Sequence, residues 1–315
     1  LELKQTYSSA TKIITSVFDE IGNVIVGQKE VLEQLMIAVL CNGHALMESY
    51  PGLGKTLTVS TFAKVMDLRF SRIQCTPDLM PSDITGTYIV EEHAGTKKFR
   101  FSPGPVFANI VLADEINRAS PKTQSALLEA MQERQVTVGN ETYALEKPFL
   151  VLATQNPIEM EGTYPLPEAQ LDRFLLKILL DYPTFDEENV IVDRYTGNVS
   201  PAVDKVISKD TLLTLQRLTR DVPISNDLKK YAIKVVAATR KDSEHIEYGA
   251  SPRASIGLIL ASKARALISG RNYVAEEDIH AMAFPILRHR ILLTFESERK
   301  GITKDSVIKD MLKSS

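Results

Sequence analysis

Tryptophan is absent from this 315-residue chain and cysteine occurs only twice. No apolar run approaches the ~18 residues that a membrane-crossing helix needs, and no charged-then-apolar leader opens the sequence. Cys41 and Cys75 stand far apart with no CxxC pair. That excludes a disulfide framework and a thiolate metal site, and predicts two reduced core cysteines in a cytoplasmic protein. The five histidines (His44, His93, His245, His280, His289) form no ligand-spaced cluster, so no metal is expected on them. Net charge is also scarce: 37 basic against 40 acidic residues leave −3. A balance so close to neutral gives no global reason to expect nucleic acid or an anionic membrane as partner.

What is present is ordinary globular material, 44% hydrophobic and 24% charged. The length is about twice the ~150-residue prior for one domain, so two domains are expected. Up to residue 183, short apolar runs alternate with helical patterns. Ala45–Met47, Phe70–Ile73, Ile110–Ala113, Phe149–Ala153 and Phe174–Leu180 suit buried strands. Val59, Phe62, Ala63 and Met66 share one helical face, and Leu127, Ala130 and Met131 share another. Ser120 and Pro121 are a capping start for the second helix. This alternation predicts an α/β core over 1–183, a parallel sheet flanked by helices. Over 184–315 the strand signal disappears. Stripes at Leu228, Tyr231, Ala232, Val235 and at Ile256, Ile259, Lys263, Leu267 predict an all-helical domain. Two hairpins interrupt the core, with turns at His93–Thr96 and Gly139–Glu141. They read as edge decorations or as projecting loops that touch a partner.

Three strand ends carry chemistry. Pro51-Gly52-Leu53-Gly54-Lys55-Thr56 follows a strand and opens a helix, the context of a phosphate-binding loop. Glycines let backbone N–H groups approach a phosphate, and the helix adds its positive N-terminal end. Lys55 would reach the β- and γ-phosphates and Thr56 would hold Mg²⁺. Ser49 stands where this loop's first glycine is usual. The apolar strand Ile110–Ala113 ends in Asp114 and Glu115, the Walker B arrangement. Asp114 would hold the Mg²⁺ shell, mostly through water, and Glu115 would polarise the attacking water. Asn156 ends a further strand, where it would orient that water or simply form a turn before Pro157. Arg173 precedes the last strand and suits either a salt bridge or a phosphate contact. Arg253 sits in the first turn of a helix, where the dipole disfavours a cation unless an anion lies nearby.

These stretches, with Ile25–Gln28, Ala113–Ala119, Ala153–Pro157, Glu161–Phe174, Gly249–Ala254 and Leu287–Arg290, resemble the MoxR family of AAA+ ATPases over nearly the whole chain. The resemblance implies an AAA+ P-loop core, a helical lid, ATP and Mg²⁺ as cofactors, and a homo-oligomeric ring, usually a hexamer. It places Gly27 and Gln28 near the adenine and Pro51 to Leu57 around the phosphates. It makes Asn156 sensor 1, Arg173 the arginine finger reaching a neighbour's nucleotide and Arg253 sensor 2; Arg118 belongs to the family motif, and a subunit contact is our own expectation for it. It implies protein clients, often with a von Willebrand A domain partner, and chaperone-like maturation that includes metal or cofactor insertion. Two other functions share the layout. One is the ATPase subunit of a metal chelatase. The other is a nucleic-acid motor, for which Lys97, Lys98 and Arg100 offer some basic character but Gly139-Asn140-Glu141 none.

Overall fold

The computed structural model describes residues 2–93, 96–158, 162–198, 201–241 and 244–314. Ala94 and Gly95 of the first hairpin turn, and Glu161 of the long family-like stretch, lie outside them. Two helices, α1 (Glu2–Gly22) and α2 (Lys29–Leu40), lead into β1 (Ala45–Ser49) and α3 (Lys55–Val65). Next come β2 (Phe70–Gln74), the short α4 (Pro81–Thr85), the hairpin β3 (Gly86–His93) with β4 (Thr96–Pro103), and β5 (Ile110–Asp114). Then follow α5 (Pro121–Glu133), the hairpin β6 (Gln135–Val138) with β7 (Glu141–Ala144), β8 (Leu150–Gln155), α6 (Glu168–Leu171) and β9 (Leu176–Leu180). Ser120 caps α5 as its sequence predicts, accepting from the Thr123 N–H.

The central sheet has the order β2-β5-β8-β1-β9, and every neighbouring pair is parallel. A parallel sheet sends all its strand C-termini to one edge, so Ser49, Gln74, Asp114 and Gln155 end side by side. Strand periodicity then divides the core in two. Ile110, Leu112, Leu150 and Leu152 face the cluster containing α2 and α3. Val111, Ala113, Val151 and Ala153 face the cluster containing α5. Both sides of each strand are therefore covered, which is why these runs are continuously apolar rather than alternating. The two hairpins lock together: Phe101 stacks on Tyr143 at 4.1 Å, and the Tyr88 and Tyr143 hydroxyls are 2.9 Å apart.

Beyond the loop at 181–184 the chain is mostly helical: α7 (Phe185–Thr196), α8 (Lys209–Asp221), α9 (Asn226–Ala238), α10 (Pro252–Ile268), α11 (Glu276–Leu287), α12 (Phe295–Arg299) and α13 (Lys304–Ser314). The all-helical expectation needs one amendment, because β10 (Ile246–Tyr248) and β11 (Leu292–Leu293) form a small antiparallel pair. A second amendment concerns α10. Within the stripe Leu267 is buried and Ile259 packs on the core, but Ile256 is exposed, and Ala254, Leu258, Ala261 and Ala264 supply much of the buried face. Small residues let this helix approach α11 and α2 closely, so its core face is not its most apolar stripe. Both cysteines are free and buried, as expected, and burial pushes each thiol up to about 12.

His44, just before β1, is buried with both ring nitrogens in use. Nε2–H donates to the Met131 carbonyl (2.9 Å) and Nδ1 accepts from the Val151 N–H (2.9 Å). Burial lowers its pKa to about 4, and it lowers that of His289 well below the ordinary value. A folded-state value below the unfolded one means that stability is complete above about pH 6.5 and is lost as pH falls toward 4. For His44 alone the loss is about 3 kcal/mol. Urea unfolding between pH 7.5 and 4.5 checks this; an unchanged midpoint across that range contradicts it.

Candidate active site

The loop after β1 takes its shape from two glycines. Gly52 and Gly54 have φ of +85° and +73°, and an added Cβ at either would meet nothing. They are required for backbone conformation rather than for space. Gly54 caps α3, whose first turn carries Lys55, Thr56 and the exposed Leu57. Ser49 is the buried last residue of β1 and has no left-handed backbone. Its place in the pattern therefore needs no glycine here.

Beside this loop opens a cavity of about 360 Å³, lined by Ile25, Gln28, Gly54, Leu57, Ile191 and Tyr195 among others. Apolar walls with a few polar groups suit a nucleobase. Gln28 is held at the loop: its Oε1 accepts from the Thr58 hydroxyl (3.3 Å) and its Nε2 donates to the Leu53 carbonyl (3.4 Å). Gly27 has φ +66°, a backbone that favours glycine, and a Cβ there would also crowd the Glu187 carboxylate at 2.1 Å. Glu187 is fixed in turn by its capping box with Thr184 at the start of α7.

The two acids are set by the strands flanking β5. Thr154 on β8 donates its hydroxyl to Asp114 Oδ1 (2.7 Å) and accepts from the Glu115 N–H (2.8 Å). From β2, Arg72 Nη2 donates both to Asp114 Oδ2 and to Gln74 Oε1, each at 2.6 Å. Gln74 Nε2 then donates to Glu115 Oε2 (3.2 Å), which also meets Arg118 Nη1 at 3.3 Å. Glu115 adopts φ +57°, an uncommon backbone for a non-glycine residue. Such strain persists where the surroundings over-determine it, and here two hydrogen-bonded strands do so. Thr154, Arg72 and Gln74 were not singled out from sequence. The only signal for them is that each sits at or near the C-terminal end of a strand beside β5.

The residues fit Mg²⁺. Thr56 and Asp114 are hard oxygen donors; with Asp114 already bonded to Thr154 and Arg72, it would reach the metal mostly through water. When bound, the metal would neutralise phosphate charge. Removing the Thr154 hydroxyl should leave nucleotide binding near the parental level and lower turnover ~10-fold or more, because both acids lose their orientation. Comparing ATP affinity and turnover in Thr154→Val checks this; unchanged turnover contradicts it.

Asn156 is buried after β8, and its Oδ1 accepts from the Ile158 N–H (3.2 Å). Its side chain thus forms the turn considered from sequence while standing at the same sheet edge as the acids. The two arginines are elsewhere. Arg173 precedes β9, at the N-terminal edge of the sheet, and Nη1 donates to the Leu128 carbonyl (3.0 Å). A salt bridge to Asp172 is not what holds it. Asp172 instead takes Arg290 (2.8 Å), the Ser251 hydroxyl (2.8 Å) and, more loosely, Arg253 (3.8 Å). Arg173, Arg253 and His44 line one small cavity that none of the phosphate-loop residues share.

The chain matches the model of the ATPase family associated with various cellular activities over residues 44–176, and that of the AAA lid domain over 238–311. It is 46% identical to chaperone MoxR1 of Mycobacterium tuberculosis over 93% of this chain and 79% of that protein. It is 45% identical to YeaC of Bacillus subtilis (93% and 91% covered) and 30% identical to MoxR of Methylorubrum extorquens (91% and 90%). A crystal structure of a candidate ATPase from Cytophaga hutchinsonii superposes with a TM-score of 0.92 at 47% identity, covering 100% of this chain and 96% of that one. Strand ends that assemble a phosphate loop with two oriented acids agree with these likenesses: the chain belongs to the MoxR family of AAA+ ATPases and is an ATP-hydrolysing enzyme.

Proposed function

We propose that the protein works as a homo-oligomeric ring, a hexamer by family resemblance, that uses ATP hydrolysis to remodel protein partners. One observation carries the ring. Lys55 and Glu115 follow the C-terminal ends of their strands, whereas Arg173 stands before the N-terminal end of β9. A five-residue strand is about 16 Å long, more than an arginine side chain spans. Arg173, with Arg253 beside it, therefore faces away from its own phosphate loop and toward a neighbour's. Within one site, Lys55 and Thr56 would hold phosphate and Mg²⁺, Asp114 would hold the metal mostly through water, Glu115 would take a proton from the attacking water, and Asn156 would align it. The 1–183 core would carry this chemistry and the 184–315 lid would close it.

Protein clients, with a von Willebrand A domain partner among them, follow from the MoxR kinship and the chaperone name of the mycobacterial relative. The buried free thiols suit a reducing, cytoplasmic setting. Among the described residues no helix is long and apolar enough to cross a membrane, and no group of three or more candidate metal ligands occurs.

Mixing single-lesion subunits tests the ring. Arg173→Ala and Glu115→Gln should each be nearly inactive alone. Mixed rings contain junctions pairing an intact Glu115 with a neighbour's intact Arg173. ATPase rate against mixing ratio should peak at intermediate ratios. A flat, inactive profile despite demonstrated co-assembly would overturn the trans arrangement.

A further inference from the structure

The run Leu287-Arg288-His289-Arg290 ends α11, and its three polar side chains all reach the segment that carries Arg173. Arg288 Nη1 donates to the Lys177 carbonyl (3.2 Å), and His289 Nε2–H donates to the Phe174 carbonyl (3.0 Å). Arg290 does more. Its Nε donates to Asp172 Oδ1 (2.8 Å), and Nη2 donates to the Asp172 and Phe174 carbonyls (3.2 and 2.5 Å). Nη1 donates to the Leu175 and Ile286 carbonyls (3.0 and 2.6 Å). All five N–H donors of this guanidinium are engaged, and the side chain is only 3% exposed.

We propose that Arg290 is a positioning residue for the two arginines offered to the neighbouring subunit. It grips the carbonyls on either side of Arg173, and it orients the Asp172 carboxylate toward Ser251 and Arg253. This rests on the trans reading given above. The geometry is selective for arginine. A lysine has three donors and no planar fork, so it cannot hold two flanking carbonyls and a carboxylate together. Burial without full pairing would be costly for a cation, and the complete set of acceptors explains why Arg290 tolerates its site. The lid thereby holds the finger segment at a second point, independent of the pairing of β9 with β1.

A purely adhesive role, tying lid to core, would equally use these bonds. Mixed rings separate the two. An Arg290→Lys subunit should bind ATP within about twofold of the parent, because its phosphate loop is at the opposite sheet edge. Alone it should turn over ~10-fold or more slowly, the scale of a lost orientation effect. Mixed with Glu115→Gln it should regain activity to the level of the Arg173→Ala and Glu115→Gln mixture, whereas mixed with Arg173→Ala it should regain none. That pattern marks a finger defect. Arg288→Lys, in the same run but bonded to Asp305 and Lys177 instead, should show no such pattern. Parental turnover in Arg290→Lys, or recovery with neither or both partners, would overturn the proposal. Failure of the Arg173→Ala and Glu115→Gln mixture itself would instead overturn the ring. Should Arg290→Lys not fold, the isosteric Asp172→Asn carries the same expectations. It keeps an acceptor for Arg290 and removes the charge facing Arg253.

Discussion

Arg173→Ala is expected to lower ATP turnover by ~10³-fold or more while leaving ATP affinity within about twofold of the parent. The size follows from arginine fingers in other phosphoryl-transfer enzymes, which are worth ~10³–10⁵ in rate. The retained affinity follows from topology. The side chain lies before β9 and donates to Leu128, and it does not line the cavity at Gln28 and Leu57. Its loss removes one hydrogen bond to the Leu128 carbonyl within α5, and no buried charge is left unpaired. The fold should therefore survive. Fluorescent-nucleotide binding and steady-state turnover check both halves. A large loss of affinity by the isolated subunit would place Arg173 at its own nucleotide, against the sheet order.

Glu115→Gln should preserve binding and lower turnover by ~10²-fold or more, the scale of a lost general base. The amide keeps an oxygen for Arg118 or Gln74 and nearly the same volume, so the strained backbone at φ +57° stays supported by Thr154. What disappears is the ability to accept a proton. Single-turnover hydrolysis measured beside nucleotide binding separates the two effects. Equal rates in variant and parent would assign proton transfer to another group.

Neither effect is independent of the resting network around the acids. Arg72 holds Asp114 and turns the Gln74 amide so that its NH₂ meets Glu115. The Glu115 carboxylate is thus bonded to both Gln74 and Arg118. On the proposal that Glu115 takes the proton, the contacts from Gln74 and Arg118 would have to loosen for it to face the water.

Much of this was legible from residue order because it is local. The loop from Pro51 to Thr56 is contiguous, with its glycines, helix start and lysine within six residues, and its conformation follows from backbone preferences at Gly52 and Gly54. The apolar runs that became β1, β5 and β8 were readable for a similar reason: strands covered on both faces leave no alternation to blur. The stripe on α10 holds at Leu267 and Ile259 and fails at Ile256, because periodicity reports where apolar residues recur, not which face a neighbour covers. There the buried side is alanine-rich, and Ile256 is left in solvent.

The sequence by itself determined the class of fold, the glycine loop that opens α3, the acid-tipped strand and the capped helices, since each depends on dihedral preferences and hydrophobic pattern over a few consecutive residues. Only the tertiary structure decided which side chains complete those motifs. Thr154 and Arg72 reach Asp114 across about forty residues of chain because parallel pairing sets β8 and β2 on either side of β5. Residue order sets Arg173 before its strand, but only the observed pairing shows which neighbour that strand takes and what meets Arg173 there. The parallel direction of β9 puts it at the edge opposite Lys55, and the α11 terminus holds it there. Strand order and register are collective properties, fixed by how two apolar faces are covered at once, and no single window of sequence contains them.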